Sequence, residues 1–444
     1  MSKILIVDLK QDNYLDKEVN LTGWVQFIRA GKKNVFVVLR DHTGYVQVYI
    51  GRKNFEVTKQ KEIDSLVKES YIKITGILKQ DDRAPYIGRE ISCSNFEIIG
   101  SSVPIESINR QTGSFVKFEN RHLVLRGQRL QYVMQIRSEV CYAISDFMRS
   151  RNVSKVTPPT LTQQEVEGGS TLFKLDYYGE EAMLTQSSQL YLETAIPSLG
   201  PVWCELPSFR NEKSATRRHL SEFTHIEAEL PSIGFEELLE FIESMVKYVA
   251  KTVYQNPKFK EKIDWLYEDA GLKHNFEVPD KPFKRMKYSD AIKWLNEKGI
   301  KLILQDGTEK DFEYGDDIPE APERLMTDTI GEPIFLTHFP KAMKAFYMEP
   351  DNEETLSVDL LLPNVGEIVG GSMRITDYDT LVEGFKKNKI NTSMYDWYID
   401  QRKYGSCPHG GFGFGTERFL MWLTMQDNVK DCCLYPRYMG RIKP

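Results

Sequence analysis

The stretch "FRNEKSATRRHLSEFTHIEAEL", residues 209–230, crowds chemistry-bearing side chains together at strand spacing. Successive side chains of an extended chain face opposite ways. Phe223, His225, Glu227 and Glu229 therefore share one face, and Thr224, Ile226, Ala228 and Leu230 the other. The second face suits packing against helices, whereas the first is too polar for a core and suits the floor of a site. On the preceding strand-like run, Arg210 and Glu212 share a face. A guanidinium so placed can grip a phosphate through two parallel N–H bonds, and Phe223 can stack on a purine. An exposed salt-bridge ladder is the plainer alternative; the density of unlike groups on one face favours a site.

Two further clusters carry anion-handling chemistry. In "SVDLLLPNVGEIVGGSMRI" the Pro363-Asn364 pair signals a turn, and a reversal there makes Asp359 and Glu367 cross-strand neighbours. Adjacent carboxylates repel, and Mg²⁺, which uses one or two carboxylates plus substrate phosphates, relieves the repulsion. Gly370-Gly371 is expected to form a bulge that turns Arg374 into the same place. Two solvated carboxylates beside an ordinary turn are the alternative. In "PHGGFGFGTERFLMWL" the glycines Gly411, Gly413 and Gly415 clear one strand face, so a flat ligand can lie against the backbone. Arg418, in the first turn of the following helix, opposes the helix dipole, and an anion between them would resolve the conflict. There is no Walker A sequence, and the glycine run does not read as a dinucleotide fingerprint.

These clusters need a scaffold. Residues 18–100 read as five short strands with a helix near 56–69, the pattern of a small Greek-key barrel of the OB type, which commonly binds single-stranded nucleic acid. Residues 101–128 lack clear periodicity and read as a hinge or linker. From 129, "LQYVMQIRSEVCYAISDFMRSR" has apolar residues at helical spacing, and the paired prolines of "VTPPT" stop that helix. Beyond 157, strands mix with helices, among them helices near 235–254 and 289–298, without a βαβ rhythm. The fold class is thus α+β: an antiparallel sheet flanked by helices over 129–444, preceded by an all-β barrel over 1–100.

Composition sets outer bounds. The 444 residues exceed one hydrophobic core, and two or three domains are expected. The net charge of −6 does not favour nucleic acid, but the first hundred residues carry a small positive excess, a weak pointer to a polyanion. No apolar run is long enough to cross a bilayer, and "MSKILIVDLK" lacks the features of a targeting segment; a cytosolic protein without membrane association is expected. The six cysteines form no CxxC pair and the seven histidines show no metal spacing, so reduced thiols and no protein-held zinc are expected.

Taken in order, Arg210 with its loop, the Asp359/Glu367 pair and the Gly411–Arg418 segment resemble motifs 2 and 3 of the class II aminoacyl-tRNA synthetases. "VTPPTL" with its preceding helix looks like motif 1, whose proline would be Pro159, and the barrel matches the anticodon-binding domain of the aspartyl/asparaginyl subgroup. "VEGGSTLFKLDYYGEEAMLTQSSQLYLE", "TRRHLSEFTHIEAE", "PNVGEIVGGSMRI" and "DQRKYGSCPHGG" look specifically like the eukaryotic-type cytosolic asparaginyl members. The resemblance covers nearly the whole chain.

It implies a six-stranded antiparallel sheet, a homodimer formed through motif 1, and activation of L-asparagine by ATP followed by transfer to tRNA(Asn). Carried over by position, Arg210 would hold the α-phosphate, Phe223 and Arg418 the two faces of adenine, and His219 the phosphate tail. Glu212, Leu220 and Gly415 would line the ATP site, and Asp359 and Glu367 would bind Mg²⁺. Arg210, Arg418 and Glu367 would be the catalytic groups. Glu167, Ser187, Gln189 and Gly370 would meet the amino acid. Phe36, Gln47 and Arg29 would contact the anticodon. Sister aspartyl enzymes have a lysine in the "QSxQLYK" segment where this chain has Leu192. A carboxylate substrate would lose that cation, whereas an amide could accept from Arg374 and donate to Glu227, which when ionised only accepts. Aspartate ligation stays open as the alternative, as does an adenylate-forming asparagine synthetase, which would need no anticodon reader, and a non-catalytic tRNA-binding protein, which would not need Arg210, Glu367 and Arg418.

Overall fold

The computed structural model describes residues 4–105, 108–109, 111–167, 171–214, 216–273, 276–304 and 306–443. Gly168, Gly169 and Ser170, inside one of the family-like stretches, and Ala215, in the loop after Arg210, lie outside the described residues. The chain divides into two compact units, Met1–Lys117 and Phe118–Pro444.

In the first unit, strands Glu18–Ala30, Asn34–Arg40, Tyr45–Gly51, Arg89–Gly100 and Tyr71–Gln80 close, in that order, into a barrel, with the helix Val57–Ser65 between the third and fourth strands in sequence. Alternation drives closure: Val19, Leu21 and Val25 point inward with Val35, Val37 and Leu39 of the next strand, all essentially inaccessible to water. Polar neighbours on the outer face leave room for a ligand. The segment without periodicity contains short helices Ser114–Glu119 and Arg121–Val124; at six and four residues they are too short for a helical repeat to show in sequence.

The second unit is built on an eight-stranded sheet ordered Lys284–Lys287, Ile334–Thr337, Ser357–Leu362, Gly366–Met373, His409–Gly415, Glu222–Pro231, Val202–Phe209 and Ser154–Lys155. The six inner strands are antiparallel, as the resemblance implies, and the two outermost short strands add in parallel. One sheet face packs on helices Gln128–Ser150, Phe235–Gln255, Pro257–Asp269 and Thr416–Thr424, around residues such as Ile226, Ala228, Leu360, Phe412 and Phe419. The Gln128–Ser150 helix ends before the prolines, as the sequence requires. The other face of the sheet is left to a cavity of about 650 Å³. Among the described residues no helix is long and apolar enough to cross a membrane.

Candidate active site

The strand Glu222–Pro231 divides as its alternation predicts. Ile226, Ala228 and Leu230 enter the helix-backed core, while Phe223, His225, Glu227 and Glu229 line the cavity. At one end Arg210 reaches in from the end of the neighbouring strand. Its Nη2 lies 2.5 Å from Glu167 Oε2 and its guanidinium 5.4 Å from the Phe223 ring centre. The Nε atoms of Arg210 and Arg218 are buried with no hydrogen-bond partner among the described residues. A buried unpaired donor is costly, and a phosphate oxygen is the partner that suits it. Glu212 stands 3.4 Å from His219 Nε2. Burial, with Arg418 nearby, holds His219 below the usual histidine range. Leu220 and Gly415 line the same cavity.

Arg418 stands in the first turn of Thr416–Thr424 and donates to the Glu367 carbonyl at 3.0 Å and its carboxylate at 3.2 Å. What fixes Arg418 relative to Phe223 is a junction absent from the sequence reading. Arg137, on the long helix, donates to Glu417 Oε1 at 2.8 Å and Thr224 Oγ1 at 2.6 Å, and Glu417 accepts the Thr224 N–H at 3.1 Å. Each partner is the chain neighbour of one wall, so the spacing of the walls is held from behind.

The two carboxylates of the 357–373 hairpin do converge, but not by the expected pairing. Asp359 pairs with Gly370, and Glu367 with Leu361, because the ladder shifts between Leu360 and Leu361. The bulge therefore sits at Ile368 rather than at Gly370-Gly371, which pair regularly with Gly413 and Phe412. A side chain on Gly370 would lie 3.4 Å from Glu367 Oε1 and 3.7 Å from Asp359 Oδ1, so that glycine leaves an open cradle beside both acids. Lys344 donates to Asp359 at 3.0 Å. Burial pushes Asp359 up to about 6 against the pull of Lys344. Burial also pushes Glu367 up, but Arg418, Arg218 and Lys344 overcome it and hold Glu367 at about 2. Hard oxygen donors flanking an open cradle fit Mg²⁺.

Arg374 does not join these acids. Its Nε and Nη2 donate to Glu229, the latter at 2.5 Å, and its Nη1 to Ser372 Oγ at 2.7 Å. Phe223 and Glu229 are six residues apart, about 20 Å along a strand, so the arginine serves a second end of the cavity. Glu227 is the acid expected to accept from a substrate amide; the acid bonded to Arg374 itself is Glu229. Both oxygens of Glu227 are engaged, one by Ser187 Oγ and the other by the Ser188 N–H at 2.8 Å. The two acids share a face, so alternation alone could not choose between them. Gln189 also lines this end of the cavity.

The glycine strand needs a second correction. Side chains of the neighbouring strand occupy the space that Gly411 and Gly413 free: a methyl on Gly411 would overlap the Glu229 carboxylate, and one on Gly413 the His225 ring. At Gly415 the neighbour is the stem of Arg418 at 3.8 Å, an ordinary contact. Gly411 and Gly413 therefore seat Glu229 and His225 rather than a flat ligand.

Comparison with known proteins bears directly on this arrangement. Residues 113–439 match the family model described as tRNA synthetases class II (D, K and N), and residues 19–99 match that of the OB-fold nucleic acid binding domain. The chain is 47% identical to the cytoplasmic asparagine–tRNA ligase of Bos taurus, over 97% of this chain and 76% of that one. The structure of Entamoeba histolytica asparaginyl-tRNA synthetase in complex with asparaginyl-adenylate superposes with a TM-score of 0.88 at 44% identity, covering 97% of both chains. That of the Pyrococcus horikoshii asparaginyl-tRNA synthetase, also with asparaginyl-adenylate, gives 0.92 at 34% identity over the whole of both. The chain belongs to the asparaginyl branch of the class II tRNA synthetases.

In this synthetase the barrel carries its own candidate contact surface. Arg29 pairs across strands with Phe36, its guanidinium 4.6 Å from the ring centre, and Tyr49 packs on Phe36 at 5.6 Å. Gln47 donates to Glu90 at 2.5 Å. Arg29, Phe36 and Gln47 line one groove with Tyr86 and Arg83. An aromatic face beside a cation and an amide is what stacking on and reading an unpaired base requires.

Proposed function

We propose that this synthetase activates L-asparagine with ATP, giving asparaginyl-adenylate and pyrophosphate, and passes the asparaginyl group to the 3′ end of tRNA(Asn) with release of AMP. One geometric observation carries the reading: a single cavity joins an end rich in arginines and carboxylates to the Arg374–Glu229 pair. The names of the relatives, and the asparaginyl-adenylate held by two of the solved structures, support it.

In the first step the asparagine α-carboxylate attacks the α-phosphorus. The bond from that phosphorus to the bridging oxygen breaks, and its electron pair leaves with pyrophosphate. The nucleophile is already an anion, so no protein base is needed; the site must align two anions and neutralise charge at phosphorus. Arg210 supplies that at the α-phosphate. Phe223 and Arg418 take the two faces of adenine, with Glu212, Leu220 and Gly415 around it, and His219 and Arg418 reach the phosphate tail. Asp359 and Glu367 would hold Mg²⁺, which when bound offsets phosphate charge.

Selection happens at the far end. Glu167, Ser187, Gln189 and Gly370 surround the amino acid's α-groups, and Glu227 holds Ser187 in place. Three N–H groups of Arg374 are already engaged; a guanidinium has five, which leaves donors for the amide oxygen. Glu229 accepts from the amide NH₂. An aspartate side chain would bring an acceptor where a donor is needed, and a second negative charge. Phe36, Gln47 and Arg29 read the anticodon, residues 1–100 being the anticodon-binding domain, 101–128 the hinge and 129–444 the catalytic domain. Dimerisation runs through motif 1, from the long helix to Pro159, and the setting is the cytoplasm, as in the relatives' names.

The test is ATP–pyrophosphate exchange with each amino acid in turn. Asparagine should drive exchange at least about 10³-fold better than aspartate, given what mispaired buried polar groups can discriminate. Faster exchange with aspartate would end the reading.

A further inference from the structure

Behind the Arg374–Glu229 pair lies a second charged cluster that is not part of the cavity wall. Glu193 follows Gln189 by one turn of the helix Gln189–Leu199, and its carboxylate is completely buried. Its Oε2 accepts from Arg402 Nη2 at 2.6 Å, Tyr398 OH at 2.9 Å and His409 Nε2 at 3.0 Å, and its Oε1 from Gln189 Nε2 at 3.0 Å. His409 Nδ1 faces the Cys407 carbonyl at 2.8 Å. Both ring nitrogens thus meet acceptors, so His409 is an imidazolium. One atom each from Glu193, Glu229 and His409 lie within 4.8 Å of one another. That spacing could hold a metal ion, but unlike Asp359 and Glu367 neither Glu193 nor His409 lines the cavity, and guanidinium and imidazolium groups already fill the enclosed space between these carboxylates.

Two consequences follow for a ligand in the cavity. An ionised carboxylate only accepts, so Gln189 must give its NH₂ to Glu193. Its carbonyl oxygen is then left for an ammonium group. Glu193 also stands close behind Glu229, where its charge offsets Arg402 and His409. Without it those cations would be unopposed in low-dielectric surroundings and would favour a carboxylate at Arg374. We propose that Glu193 is a positioning and specificity-determining residue: it fixes the Gln189 carboxamide for the substrate's ammonium group, and by offsetting Arg402 and His409 it denies an acidic side chain the cationic surroundings it would need. This rests on the asparagine-activating reading above. The raised titration of Glu229, which burial and Glu193 push up to about 7 against Arg374, agrees with the closeness of the two acids.

The two roles separate by substitution, read by ATP–pyrophosphate exchange. Glu193→Gln keeps the shape and removes the charge; the aspartate-to-asparagine ratio of kcat/KM should rise about tenfold, with KM for ATP within about twofold of the parent. Glu193→Asp keeps the charge but draws it away from Gln189; KM for asparagine should rise about tenfold while the ratio stays low. Tyr398→Phe removes one donor only and should lower Tm without moving the ratio. A ratio shift in Tyr398→Phe equal to that in Glu193→Gln, or a lowered Tm with unchanged KM and ratio in both Glu193 variants, overturns the proposal. If Glu193→Gln does not fold, the Glu193→Asp KM decides. A parent enzyme that prefers aspartate defeats the underlying reading instead, whatever the variants do.

Discussion

At the residue scale the decisive distinction is between two glutamates on one strand face. Glu229 bonds Arg374, and Glu227 bonds Ser187 and the backbone of Ser188. Glu229→Gln should therefore erode the preference for asparagine over aspartate about 100-fold, the worth of a buried hydrogen bond to a charged group. Glu227→Gln should chiefly raise KM for asparagine by loosening Ser187. Exchange assays showing the reverse order would return the discriminating role to Glu227. Asp359 makes a second prediction through pH. Its carboxyl sits at about 6, so it is ionised above that pH and protonated below it. A protonated acid is a poor ligand for Mg²⁺. As pH falls from about 7.5 to about 5.5, the Mg²⁺ concentration for half-maximal exchange should rise several-fold, and Asp359→Asn should flatten the dependence. An Mg²⁺ requirement that is constant over this range would remove Asp359 from the ion's ligands.

At the scale of elements, the site is a matter of register. Gly411 stands opposite Glu229, and the next-but-one pair sets Gly413 opposite Glu227; the missing side chains make room for Glu229 and His225. Gly411→Ala places a methyl on the Glu229 carboxylate and cannot be absorbed by rotating a surface side chain. It should destabilise the catalytic unit by about 1–3 kcal/mol, lowering Tm, and should impair amino-acid selection more than ATP binding. A variant with unaltered Tm and selectivity would show that the acid has somewhere else to go. Strand alternation, the turn at Pro363-Asn364, the long helix and the barrel were all legible, because each is set by residues close in sequence; the helix ends at Ser150, with Asn152 at positive φ, before the prolines are reached. The bulge at Ile368 was not. Neither was the Arg137–Glu417–Thr224 junction, whose members come from three separate elements.

At the scale of the whole molecule, the proposed function gives the two compact units separate tasks. Phe36→Ala should cut charging of tRNA(Asn) by about 1–3 kcal/mol of lost stacking, roughly 10–100-fold, and leave ATP–pyrophosphate exchange intact. Loss of both activities together would mean that the barrel supports folding rather than reading. Normal exchange with no tRNA charging in the parent protein would point instead to a small acyl acceptor. By itself the sequence determined the class of fold, the order of the motifs, the adenylate-forming chemistry that the family resemblance implies, and the face shared by Phe223, His225, Glu227 and Glu229. Local periodicity, turn residues and residue type are properties of short stretches, and they survive without the rest of the chain. Only the tertiary structure decided which acid meets Arg374, where the ladder shifts beside Glu367, and that Glu193 stands behind the pair. Those are contacts between strands and helices far apart in sequence, and their register is fixed by packing that no single segment encodes.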